Sequence, residues 1–253
     1  MPVVASLAKA ALLEAIRNRI LWLAAVVVVA AFGIAQFLNQ VAMTESREIQ
    51  AALLAALLRV AAVFILATFV ITSMLRESSD KVTELLLSLP VPRATYFFGK
   101  CAGYALVAAV LALIFALPLV PFSQSVGLAA WAVSLFCELL IVTAMSVFCV
   151  LSLTQVVPAF AAVVGFYLLS RSMAAMQIIA GAAADPTLAD RVVNAIVALI
   201  ALLLPALDRM TQTAWLLESA PGAGTVAGIL LQTAIYLVLI GAAALFDLYR
   251  KNF

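Results

Sequence analysis

The sequence has 253 residues, of which 67% are hydrophobic and only 10% charged, with a mean hydropathy of +1.24. A soluble domain is nearer ~45–50% apolar and ~25% charged, so a water-soluble globule is excluded and an all-α integral membrane protein is expected. A formal net charge of +2 with three cysteines and no histidine gives no ground for a nucleic-acid partner, a disulfide framework or a metal site, and Cys101, Cys137 and Cys149 read as small apolar packing residues.

Taken in order, residues 3–19 form a helix-prone segment whose polar positions are Lys9, Glu14, Arg17, Asn18 and Arg19. It is expected to lie along the cytoplasmic interface as an amphipathic elbow. No short apolar core with a small-residue cleavage site precedes it, so the segment is expected to be retained. Residues 20–38 are uncharged and long enough to cross a ~30 Å hydrocarbon core, which makes them the first span. After a polar loop, residues 53–75 form the second, interrupted only by Arg59.

Charge then concentrates between Arg76 and Lys100. A helix over residues 80–89 places Glu77, Asp80, Lys81, Glu84 and Ser88 along one stripe and Val82, Leu85, Leu86 and Leu89 along the opposite one. Ser78, Ser79 and Asp80 can cap its start, and Pro90 and Pro92 end it. Arg76 and Arg93 flank it. Two readings stand side by side, a helix lying at the lipid surface and a lever on which a soluble partner pushes.

Residues 103–121 make the third span, and a charge-free turn with two prolines leads into the fourth, residues 128–151, which contains Glu138. Ser152, Thr154 and Gln155 lie in a link so short that the fifth span, residues 156–179 with Arg171, must run antiparallel beside the fourth. The last span is residues 224–245. Residues 192–207, broken by Pro205, are ambiguous. Lys9, Arg17 and Arg19 before the first span, the basic residues of 76–100, and Arg250 and Lys251 at the end all belong inside by the positive-inside rule. Both termini inside require an even number of crossings, so six spans are expected, with 192–207 as a re-entrant or interfacial segment on the outer side; the alternative is a seventh span. The whole chain is then one transmembrane domain, residues 1–253.

The segment LLEAIRNRILW (Leu12 to Trp22), the phrase TELLLSLPVPRATYFFGK (Thr83 to Lys100) and this topology resemble the permease subunits of type-2 ABC exporters, including small permeases related to the one in the copper-site maturation system of nitrous oxide reductase. The resemblance implies two permease copies, as a homodimer or heterodimer, in a bacterial cytoplasmic membrane, each bound to a cytoplasmic ABC ATPase that carries ATP and Mg. Arg76, Glu77, Asp80, Lys81, Glu84, Ser88 and Arg93 would form the coupling surface, and Ser152, Thr154 and Gln155 a second contact. No phosphate-binding loop of the GxxxxGK[ST] type occurs, and the chain is expected to bind no cofactor and to be no enzyme.

Arg59, Glu138 and Arg171 fall inside expected spans, each at a cost of ~2.5–3.5 kcal/mol unless paired or wetted. Either Glu138 pairs with one of the arginines to lock an outer gate or touch a polar substrate group, or the arginines snorkel and Glu138 is protonated or paired structurally. Met173, Met176 and Met210 read as packing, and Trp22, Tyr96, Phe97, Phe98 and Tyr104 as an interfacial aromatic belt. Beside the transporter stands a second reading, a membrane scaffold that anchors an assembly complex through the same 80–89 helix. Membrane lipids are partners under either.

Overall fold

The structure is a computed structural model that describes residues 2–41, 46–79, 92–123, 125–181, 188–217 and 220–250. The helices are α1 (Pro2–Arg17), α2 (Ile20–Val41), α3 (Ser46–Ser79), α4 (Arg93–Ala116), α5 (Ser125–Leu153), α6 (Val156–Ala180), α7 (Leu188–Leu203), α8 (Ala214–Leu217) and α9 (Ala223–Arg250), with 3₁₀ turns at Leu117–Phe122 and Leu207–Arg209. Among the described residues six helices, α2 to α6 and α9, are long and apolar enough to cross a membrane. The protein is therefore an all-α integral membrane protein. Inside a bilayer no water can satisfy a free N–H or C=O, so an apolar run of this length has the helix as its solution.

The bundle is built around α5. Its Trp131, Leu135, Leu139, Ile141 and Val142 are all fully buried, because α3, α4, α6 and α9 each pack against it. A helix that is apolar on every side belongs in the middle of a membrane bundle. The flanking helices turn apolar faces outward instead: Val26, Val29 and Phe37 on α2, and Leu231, Val238 and Phe246 on α9, are exposed.

At one end, called here the terminal end, Arg93 at the start of α4 donates to the carbonyls of Leu248 (3.1 Å) and Tyr249 (3.4 Å) in the last turn of α9. The end of α5 joins them through a short hydrogen bond from Ser152 to Asp247. Here α1 folds across α4. The approach is close enough that a Cβ on Gly103 would lie 2.6 Å from Ala11 Cβ and 3.1 Å from Ala8 Cα, with Leu7 crowding Gly99 one turn earlier. This GxxxG spacing lets two helix backbones touch. Helix α4 starts at Arg93, so Lys100 is inside the helix and buried. Of the expected aromatic belt Phe98 and Trp22 are exposed, whereas Tyr96, Phe97 and Tyr104 are buried in the packing of α4.

At the opposite end α8 lies so close to the start of α5 that a Cβ on Gly127 would meet the Trp215 carbonyl oxygen at 2.0 Å. Helix α7 and the 207–217 segment form a pair bent by 66°. Between them the chain passes Pro205 and descends to the middle of the bundle, where the charged residues are.

Candidate functional site

Glu138 stands thirteen residues into α5 and fifteen from its end, which places it about 20 Å from either end at ~1.5 Å per residue. Arg171 on the antiparallel neighbour α6 is likewise fifteen residues from the first residue of its helix, Val156, so the two meet at one level. The Arg171 guanidinium is 3.9 Å from Glu138 Oε1, and Glu138 has no solvent exposure. Arg59 reaches the same level from α3, half-buried.

What joins the three charges is Thr211. Its hydroxyl donates to Glu138 Oε2 at 2.9 Å and its backbone N–H to Ser134 Oγ at 2.9 Å. Arg171 donates to the Thr211 hydroxyl (3.3 Å), to the Met210 carbonyl (3.1 Å) and, through a short contact, to the Leu207 carbonyl. Arg59 donates to the Thr211 carbonyl at 3.3 Å and lies 3.5 Å from its hydroxyl. The buried Tyr167 hydroxyl on α6 faces the Glu138 carboxylate, and the buried Ser170 Oγ and Arg59 Nε have no hydrogen-bond partner among the described residues. Thr211 itself has φ 49°, a left-handed conformation that is costly for a β-branched residue, by ~1–2 kcal/mol. The hydrogen bonds to Ser134 and Glu138 hold it there. The cluster therefore ties the 205–213 turn to α3, α5 and α6, with two cations against one carboxylate.

The terminal end carries a second polar network. Lys100 forms a short ion pair with Glu77 Oε1, the Tyr96 hydroxyl donates to Glu77 Oε2 at 3.3 Å, and the Lys100 ammonium lies 5.8 Å from the Tyr104 ring centre. Ser73 donates to Glu14 Oε2 at 2.8 Å and accepts from the Tyr104 hydroxyl at 3.2 Å. The end of α3, the start of α4 and helix α1 are thus cross-braced.

Of the expected coupling surface, Arg76 is exposed near the end of α3, Glu77 is in the brace, and Arg93 caps α9. Asp80, Lys81, Glu84 and Ser88, with the whole 80–89 helix, lie outside the described residues. Ser152, Thr154 and Gln155 are exposed together at the α5–α6 link, where Thr154 has φ 52°. Met173 and Met210 are buried packing residues, whereas Met176 is exposed. Sequence reasoning passed over Thr211, Ser134 and Ser73, and it read Glu14 as a polar position of the elbow and Tyr96 as part of the aromatic belt, with no sign of the bonds they make. The role of Glu14 could have been found, since it stands beside Ala8 and Ala11 on a helix whose partner carries GxxxG; an isolated threonine seventy-three residues from its carboxylate left no periodic signal.

Residues 15–181, about two thirds of the chain, match the family described as ABC-2 family transporter protein. The matched region runs from the end of α1 through α6 and so includes Arg59, Glu138, Arg171, Glu77 and Lys100. A comparison with curated proteins gives no match. With six apolar helices long enough to span a membrane and this match, the chain belongs to the ABC-2 transporter family, as a multi-pass membrane component of an ABC transporter and not its ATPase.

Proposed function

We propose that the protein is the membrane-spanning subunit of an ABC exporter, driven by a separate cytoplasmic ATPase that binds ATP and Mg and docks on residues 80–89. The terminal end faces the cytoplasm of a bacterial cell, the chain crosses the inner membrane six times, and two copies form the working unit.

The observation that carries this reading is the brace on either side of the docking stretch. Glu77 precedes it and Tyr96 and Lys100 follow it, and these are bonded to one another. A force on residues 80–89 would therefore reach α3 and α4 together, and through Ser73 and Glu14 the elbow helix α1. Ser152, Thr154 and Gln155 are exposed, which suits a second contact. Apolar grooves flank Thr68 and Thr72 on α3, one against α2 and one against α6, leaving room for those three helices to shift when the ATPase closes. The cluster at Glu138 would hold the 205–213 turn while they do.

The test is co-purification of the solubilised chain with its ATPase, with ATP turnover recorded, for the natural protein and a Glu84→Arg, Leu85→Asp variant. Retention by the first and release by the second supports the docking assignment. Equal binding by both sinks it, and retention without coupled turnover favours the scaffold.

A further inference from the structure

At the junction of α1 and α2 two cavities meet at Asn18. One, of about 480 Å³, is lined by the polar side chains of Glu14, Arg17, Asn18 and Arg76 together with Ala10 and Leu13. The other, of about 710 Å³, starts at Asn18 and Arg19 and runs between α2 and α3 along Trp22, Val26, Phe64 and Thr72. Arg19 has φ 56°, and the tight turn it makes sets Arg17 and Arg19 on either side of Asn18. We propose that this pair of cavities binds one anionic phospholipid, its phosphate among Arg17, Arg19 and Arg76 and an acyl chain in the groove between α2 and α3.

Charge selects the head. In the first cavity Arg17 and Arg76 face one carboxylate, Glu14, which is already engaged by Ser73 at 2.8 Å, and Arg19 adds a third cation where the second cavity opens. Among the described residues none of the three pairs with a carboxylate. The groove wall selects the tail. Thr68 and Thr72 donate to the carbonyls of Phe64 (2.7 Å) and Thr68 (2.6 Å) of their own helix, so their hydroxyls are spent within α3 and the wall needs no polar occupant. From Arg19 to Val26 the groove extends about 10 Å along α2, a third of a ~30 Å hydrocarbon core, which puts the arginines at the level of lipid phosphates. Exposed Trp22 sits beside them, as aromatic residues do at headgroup depth. A free phosphate would fill the first cavity and leave the second empty. The assignment stands whether or not the chain moves cargo.

The full chain is reconstituted in vesicles of equal parts phosphatidylglycerol and phosphatidylcholine, extracted mildly, and the retained lipid identified by native mass spectrometry. One phosphatidylglycerol per chain is expected, with phosphatidylcholine at least tenfold lower. Arg17→Gln, Arg19→Gln, Arg76→Gln should lose the preference, and Thr72→Trp, which fills the groove with the arginines intact, should lose retention; if the triple variant does not fold, Arg76→Gln alone takes its place. Lys9→Gln, which removes a charge from the same helix outside both cavities, should change neither. Equal retention of the two lipids, unchanged retention in both the arginine and Thr72→Trp variants, a loss in Lys9→Gln as large as in the arginine variant, or release of phosphatidylglycerol by inorganic phosphate alone would each overturn the assignment.

Discussion

Replacing Glu138 by glutamine keeps an acceptor for the Thr211 hydroxyl and removes the charge that faces Arg171 at 3.9 Å. At an effective dielectric constant of ~20, two unit charges that far apart attract by about 4 kcal/mol, before the cost of desolvating them is set against it. Arg171 keeps its bonds to the Leu207 and Met210 carbonyls, so part of the loss is recovered. Glu138→Gln should therefore destabilise by about 3 kcal/mol, and Arg171→Gln by a similar amount since it leaves a buried carboxylate alone. The double variant should fall short of their sum by about 2 kcal/mol. Thermal melting in detergent, followed by helix content, reads the cycle, with each single change lowering the midpoint by roughly 6–12 °C. Hydrogen exchange gives a local check: amides of 207–217 should exchange faster in Glu138→Gln, because the turn loses part of its anchor. Additive singles, with a coupling below ~0.5 kcal/mol and unchanged exchange there, would refute the clamp.

Gly103→Val should push α1 off α4, since even a Cβ there meets Ala11 at 2.6 Å; a cost of ~1–3 kcal/mol is expected, together with faster proteolysis of α1. Gly165→Ala, where a Cβ meets nothing within 4 Å, should instead be neutral or stabilise by ~0.5–1 kcal/mol. Thr154→Gly relieves a left-handed φ of 52° and should stabilise by about 1 kcal/mol, whereas a lowered melting point would show that the threonine side chain holds the link. Glu77→Gln should leave the ATPase bound while lowering its stimulation by the membrane subunit several-fold; full stimulation in that variant would remove the brace from the coupling path.

Much of the architecture was legible because lipid imposes simple rules. An uninterrupted apolar run of span length has one backbone solution, and the six candidate helices follow from that. Arg59, Glu138 and Arg171 stood out for the same reason, as charges where charge is expensive. What joins them did not. Thr211 reaches Glu138 because the chain turns at Pro205, and neutral hydroxyls carry no cost that would draw the eye in a sequence. Lys100 hides its partners in a different way: the sequence shows it as the end of the charged stretch, whereas Glu77 and the Tyr104 ring, neither of them a sequence neighbour, give it a buried seat inside α4. The elbow's contact with α4 was written in Gly99 and Gly103, a spacing that becomes informative once a partner helix with small residues is known to cross it.

The Arg93 bonds to the Leu248 and Tyr249 carbonyls carry a practical consequence for handling the protein. They moor the last turn of α9 beside the first residue of α4, so under the docking proposed for residues 80–89 a reporter fused at the C-terminus starts close to where that stretch rejoins α4. A bulky fluorescent fusion there would shade an arriving partner and mimic a coupling defect. A small dye at the same place becomes a proximity gauge, its quenching by a labelled ATPase giving occupancy without touching the stretch itself.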